Sequence, residues 1–315
     1  MLRYLIRRLL LLGLTLLITS AIVFALTQLL PGDVARLILG REAQPEAIAN
    51  LREQLGLNDP IPQQYVNWLI GFLNGDWGYS FGSGNPAIRP LVMERLGYSM
   101  RLALLTLAIA VPLSVTLGVI AGLKENTWID SAISLVSLSI VGLPEFVTGL
   151  VLINTFALGL GWFPASATVS ANDPIDKWLP QLILPAITAT FVLTGYIARM
   201  ARAGVIDELR RPYVRTAILK GLPYHQVILK HVLRNALLPT ITVIALSFGW
   251  LIGGLIVIEN VFSYPGLGRL LVAAVDRKDI PLMQAVVMTI IFFYALANLI
   301  ADLVYALLNP RIRLE

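Results

Sequence analysis

The chain is 315 residues long, 57% hydrophobic and only 14% charged, with a mean hydropathy of +0.76. A soluble domain carries charge at about a quarter of its positions, so this composition excludes an ordinary globular protein and makes the bilayer the relevant solvent. The lack of cysteine excludes a disulfide framework and a thiolate metal centre, and the net charge of +5 has to be judged by where it falls.

A hydrocarbon layer about 30 Å thick is crossed by roughly 20 apolar residues in a helix. Six runs meet that length: residues 9–30, 99–121, 131–157, 179–200, 239–258 and 281–308. The expected architecture is an all-α membrane protein with six transmembrane helices. Arg3, Arg7 and Arg8 precede the first run as they would in a signal peptide. That run is too long for one, and no A-x-A cleavage pattern follows, so it reads as a retained span. Lys and Arg collect on cytoplasmic loops. With the N-terminus inside, fourteen of the 24 basic residues fall on cytoplasmic segments, among them Lys124, Arg199, Arg202, Arg210, Arg211, Arg215, Lys220, Lys230 and Arg234. Both termini are therefore expected in the cytoplasm. The same bias accounts for the basic cluster without invoking nucleic acid.

The outer segment 31–98 has two helix signals, one opened by Pro45 with Ile48, Leu51 and Leu55 on a face, the other by Pro62 with Tyr65, Trp68, Leu69 and Phe72. It reads as a small cap on the outer face, with Trp68, Trp77 and Tyr79 as interfacial anchors. The chain thus divides into residues 1–30 (N-terminus and first span), the cap at 31–98, and a core at 99–315 that contains the cytoplasmic loop 201–238.

Charged groups in hydrocarbon are costly and face a bundle interior or water. Glu145 follows Pro144, where a break in helix hydrogen bonding can expose backbone carbonyls to a solute path. Asp302 shares a helix face with Asn298 and Tyr305; that face either packs against a neighbouring span or, with Glu145, contributes to the path. Gly249, Gly253 and Gly254 make a small-residue stripe suited to close helix crossing.

In the loop 201–238, residues 213–220 are helical in character, Gly221 can end the helix in a left-handed conformation, and Pro223 can open the next, over 224–236. Two short helices meeting at an exposed corner form a knob, not a pocket, and a knob suits a partner's groove. His225 and His231 are six residues apart and do not share a face, so no metal site is expected.

The run Tyr213-Val214-Arg215-Thr216-Ala217-Ile218-Leu219-Lys220-Gly221, followed by His231 and by Arg234-Asn235-Ala236-Leu237-Leu238-Pro239, resembles the EAA loop of ABC importer permeases of the dipeptide, oligopeptide and nickel branch. Further stretches resemble the same branch: Pro31-Gly32-Asp33, Gly75-Asp76-Trp77-Gly78-Tyr79-Ser80, Glu259 to Arg269, Asp302-Leu303-Val304-Tyr305, and Asn309-Pro310-Arg311-Ile312-Arg313. Ile218 and Leu219 stand where the branch more often has small or basic residues, and Val34 where it often has proline. The resemblance implies a type I ABC importer permease fold in a bacterial or archaeal plasma membrane, the inner membrane of a Gram-negative cell. It also implies a homologous second permease subunit, two cytoplasmic ATPase subunits that bind ATP and Mg, and an extracytoplasmic solute-binding protein. Tyr213, Arg215, Thr216, Ala217, Lys220, Gly221, Leu222 and Pro223 would be the segment that couples to the ATPases. No G-x-x-x-x-G-K-[ST] phosphate loop occurs, so hydrolysis belongs to another chain and no cofactor is expected on this one. A self-contained secondary transporter is the alternative, but it would show internal repeats with ion-binding carboxylates in both halves. An intramembrane enzyme would need paired aspartates, a Ser or His dyad, or H-E-x-x-H. Dipeptides, oligopeptides, nickel chelates, glutathione and opine-like compounds all remain open as solutes.

Overall fold

The computed structural model describes residues 2–29, 34–39, 43–54, 56–83, 86–170 and 173–308. The expectations at Pro31-Gly32-Asp33, at Leu55 and at 309–313 lie outside these residues, as do those for the side chains of Arg3 and Tyr305. In chain order the helices are α1 (Leu2–Gln28), α2 (Val34–Leu39), α3 (Pro45–Gln54), α4 (Ile61–Asn74), α5 (Ile88–Leu123), α6 (Trp128–Gly142), α7 (Glu145–Leu152) and α8 (Ile175–Leu209). They continue with α9 (Pro212–Leu219), α10 (Tyr224–Gln226), α11 (Leu233–Ala236), α12 (Leu238–Gly254), α13 (Ile256–Val261), α14 (Leu267–Asp276) and α15 (Ile280–Leu308). Two π-helical stretches, Ile153–Gly159 and Val227–Val232, extend α7 and α10.

Among the described residues, four helices are long and apolar enough to cross a bilayer: α1, α5, α8 and α15. Two bent pairs bring the number to six if each counts as one span: Trp128–Gly142 with Glu145–Gly159, bent by 105°, and Tyr224–Ala236 with Leu238–Gly254, bent by 49°. The first bend makes the run at 131–157 a broken pair, at the break expected from Pro144. Leu143, just before Pro144, is extended at φ −87° and ψ 133°. A proline both disfavours helical geometry in the residue before it and lacks the N–H that would continue the ladder. Pro112, Pro180 and Pro185, by contrast, lie inside unbroken α5 and α8.

Chain contacts divide the described structure into two compact units. The first comprises Ser99–Pro265 and the chain from Tyr294 onward. Its central element is α8, buried along most of its length. Small residues let other helices approach it closely. A Cβ on Gly195 would come within 2.9 Å of the Ser137 carbonyl oxygen of α6, and one on Gly204 would run into the Ala236 carbonyl of α11. Glycine is required at both by proximity rather than by backbone conformation. On α12, a Cβ at Gly249 would rest 3.4 Å from Ala297 and Asn298 of α15, ordinary packing distance, so this part of the small-residue stripe is a helix contact.

The second unit comprises Leu2–Tyr98 and Gly266–Phe293. Here α1 is exposed on most sides, as suits a helix whose neighbour is lipid. It is held to α4 by a Ser20–Tyr65 hydroxyl hydrogen bond of 2.8 Å and by Phe24 against the rings of Tyr65 and Trp68. The aromatic row continues to Phe72, whose ring stacks on Trp77 with centroids 4.7 Å apart, and Trp77 Nε1 donates to the Phe72 carbonyl. Trp68 and Trp77 are thus packing residues of this unit. Tyr79 is exposed. Asp279, before α15, accepts from Ser80 Oγ (2.6 Å) and the Gly82 N–H (3.0 Å), holding the segment next to the Tyr79–Ala87 bridge.

Candidate functional site

The knob predicted at 201–238 is a folded element with its own core. Arg210 and Arg211 interrupt the helix after α8, and Pro212 opens α9. Val214 and Ala217 turn one face of α9 inward, where Val227, Ile228, Val232 and Ala236 meet them together with Val205 of α8. The opposite face carries Arg215, Thr216, Ile218, Leu219 and Lys220, all exposed, Leu219 at 78%. Gly221 sits at φ 76° and donates its N–H to the Ile218 carbonyl, a left-handed helix cap. No atom lies within 4 Å of where its Cβ would be, so the surface there is open. Tyr213, Arg215, Thr216, Lys220, Gly221, Leu222 and Pro223 are all on the surface of the knob, whereas Ala217 belongs to its core.

Two polar sets fix this element. The Tyr213 hydroxyl donates to Glu208 Oε1 at 2.5 Å and accepts from Asn235 Nδ2 at 3.1 Å, joining the end of α8, α9 and α11. Burial, and then the bond to Glu208, push the tyrosine pKa above its ordinary value. The second set is a clamp. Arg202 of α8 holds Asp130 of α6 in a two-pronged ion pair at 2.5 and 2.7 Å, and Asp130 also accepts from the Asn126 N–H and Ser134 Oγ. Nearby, Arg210 pairs with Glu125 at 2.7 Å. The α5–α6 turn is therefore bound to the knob end of α8 at two points. Sequence reasoning passed over Asp130 and Glu125 and gave Glu208 and Asn235 no bonding role. Thr127 three residues before Asp130 is a capping signal, and it announces the helix start but not the partner 72 residues away.

The break at Pro144 opens a cavity of about 600 Å³ inside the same unit. Its wall includes Glu145, Tyr196, Ser247, Trp250, Tyr294 and Asn298. Glu145 and Asn298 were singled out from sequence and are brought together here; Asp302 lies outside the lining and is half-buried. Glu145 Oε2 is buried and takes no hydrogen bond. Tyr196, Trp250 and Tyr294 carried no sequence signal, since aromatic residues in a span read equally well as packing.

A family model described as "Binding-protein-dependent transport system inner membrane component" matches residues 114–314, and the corresponding N-terminal model matches residues 1–103. The chain belongs to this family. The glutathione transport system permease protein GsiC of Pectobacterium atrosepticum is 41% identical over 99% of both chains, and that of Escherichia coli K12 is 40% identical over 99% of both. The probable peptide ABC transporter permease protein y4tP of Sinorhizobium fredii is 37% identical over 98% of this chain and 99% of its own. The crystal structure of an amino acid ABC transporter with histidines overlays 70% of this chain and 94% of that one at 18% identity, with a TM-score of 0.49. The permease is thus a multi-pass plasma-membrane subunit of an ABC importer, and the ATPase of such systems is a separate subunit.

Proposed function

We propose that this permease forms one half of the solute path of a peptide-class importer, with a homologous permease as the other half. Two ATPase subunits, binding ATP and Mg, seat against the α9–α11 knob, and a binding protein delivers solute from outside. The 201–238 segment and both termini are cytoplasmic, and residues 31–98 are outside. Glu145 and Asn298 face the solute in the cavity, and Asp302, one turn after Asn298 on α15, extends that face beyond the cavity wall. The peptide class is supported by the relatives' names, one a peptide permease and two glutathione permeases.

The observation that carries the reading is the surface of the knob. It is buttressed from within by a buried apolar core, yet presents Ile218, Leu219, Leu222 and Tyr224 to the outside beside Arg215 and Lys220. Contiguous exposed apolar residues on a rigid knob fit an interface. ATP-driven closure would move the knob, and the knob is joined to α8 by Val205 and the Glu208–Tyr213 bond and to α12 through α11. Gly221→Val tests this. A β-branched residue at positive φ is strained by about 1–3 kcal/mol and puts methyl groups on the docking surface. The variant is expected to insert in the membrane but to lose either its ATPase subunits on co-purification or solute-stimulated hydrolysis. Gly161→Val is the control, because Gly161 has φ 65° and equally open surroundings. Normal transport by Gly221→Val with an intact complex would remove the coupling role.

A further inference from the structure

The cavity at the α6–α7 break holds one carboxylate and, among the described residues, no lysine or arginine in its wall. Glu145 lines it with Oε2 buried and without a hydrogen bond, an arrangement that is costly for a carboxylate unless something supplies a donor or positive charge. Arg199 lies over the Tyr196 ring at 5.5 Å from its centroid, but donates to the Gly195 carbonyl and is not part of the wall. The remaining wall chemistry points the same way. Three aromatic rings, Tyr196, Trp250 and Tyr294, border the same space, and aromatic faces attract ammonium groups. Asn298 adds an amide that can accept from an N–H donor.

We infer that this cavity recognises the free ammonium group of the solute, with Glu145 as its counter-ion and the aromatic wall around it. The inference rests on the reading of the cavity as part of the solute path and goes beyond it by naming what is read: a protonated amine, as at the unblocked N-terminus of a short peptide. Glu145 is then a specificity residue of the permease itself, acting after release from the binding protein. A volume of about 600 Å³ admits a peptide of a few residues.

The test uses the complete complex in membrane vesicles. Since the chain has no cysteine, Leu246→Cys places a single thiol on this chain in the cavity wall. Its labelling by a cationic trimethylammonium methanethiosulfonate is compared with that by the anionic sulfonate, each normalised to a free thiol. The ratio is expected to favour the cation roughly 10-fold, to fall toward unity when Glu145→Gln is added, and to persist in Glu145→Asp. Trialanine amide, with a free ammonium, is expected to slow the labelling, and N-acetyl-trialanine amide is not; in Glu145→Gln the two should behave alike. A charge ratio that Glu145→Gln leaves unchanged, or equal protection by both peptides in the parent, overturns the inference. If modified Leu246→Cys keeps all of its uptake, the cavity is not on the path, and it is that underlying reading which falls.

Discussion

Tyr213 shows how a single hydroxyl can hold a coupling element together. It bridges Glu208 on α8 and Asn235 on α11 while its ring remains on the knob surface. Tyr213→Phe keeps the ring and leaves both partners to water, so the loss is that of ordinary hydrogen bonds, about 1 kcal/mol. A thermal midpoint lower by about 2 °C for the detergent-solubilised permease is the expected result; an unchanged midpoint would show that the network contributes nothing. The pH behaviour has a definite sign. The folded-state pKa is raised above 10.0, so the contribution is fully present below that pH and is lost only as pH rises through the raised folded value. The Tyr213 hydroxyl therefore keeps its proton through neutral pH.

At the scale of elements, the clamp between α6 and α8 ties the third span to the knob. Asp130 is 3% exposed and held on both oxygens, so Arg202→Ala strands a buried carboxylate at a cost of about 3 kcal/mol. Replacing both partners by leucine removes the stranded charge. The double variant should regain most of the thermal stability lost in Arg202→Ala while still coupling poorly, because two leucines do not fix the angle between the helices. If it melts as low as the single variant, the ion pair is not the unit of interaction. These long-range pairings are also where sequence reading stopped. Apolar runs near 20 residues made the spans legible, and Pro45, Pro62 and Pro223 marked helix starts, because span length and proline geometry are local physics. The break at Pro144 could be flagged, but its 105° angle could not, since prolines at 112, 180 and 185 sit in helices that continue. Nor was the π-helical stretch at Val227–Val232, whose apolar spacing reads as an ordinary helix. Gly221 could be recognised as a left-handed cap from its neighbours, but the contact faces of Gly195 and Gly204 depend on which helix crosses there. Glu145 and Asn298 could be flagged one by one as polar groups in hydrocarbon; their convergence on one cavity is a tertiary fact.

For the whole molecule the open point is parity, because a pair bent by 105° could cross the bilayer or return to the face it entered. The two ion pairs decide between these. Asp130–Arg202 and Glu125–Arg210 put the turn between α5 and α6 beside the C-terminal end of α8. Those two points must share a face of the membrane. Since α8 is long enough to span, its N-terminal end is on the other face, and the α6–α7 pair has to carry the chain across to reach it. The α6–α7 pair then counts as one span. The proposal that both termini are cytoplasmic needs an even number of crossings, and the Lys and Arg bias is what supports that side. Single cysteines in this cysteine-free chain, at exposed positions, check every step. Lys124→Cys and Lys220→Cys should react with an impermeant maleimide only from the cytoplasmic side, and Asn50→Cys and Ser166→Cys only from outside. Labelling of Ser166→Cys from the same side as Lys124→Cys would make the α6–α7 pair re-entrant and leave an odd number of crossings. Since α8 would then start on the cytoplasmic face, its end and the knob would emerge outside, away from any source of ATP, and the coupling role of the knob would fall with the six-span topology.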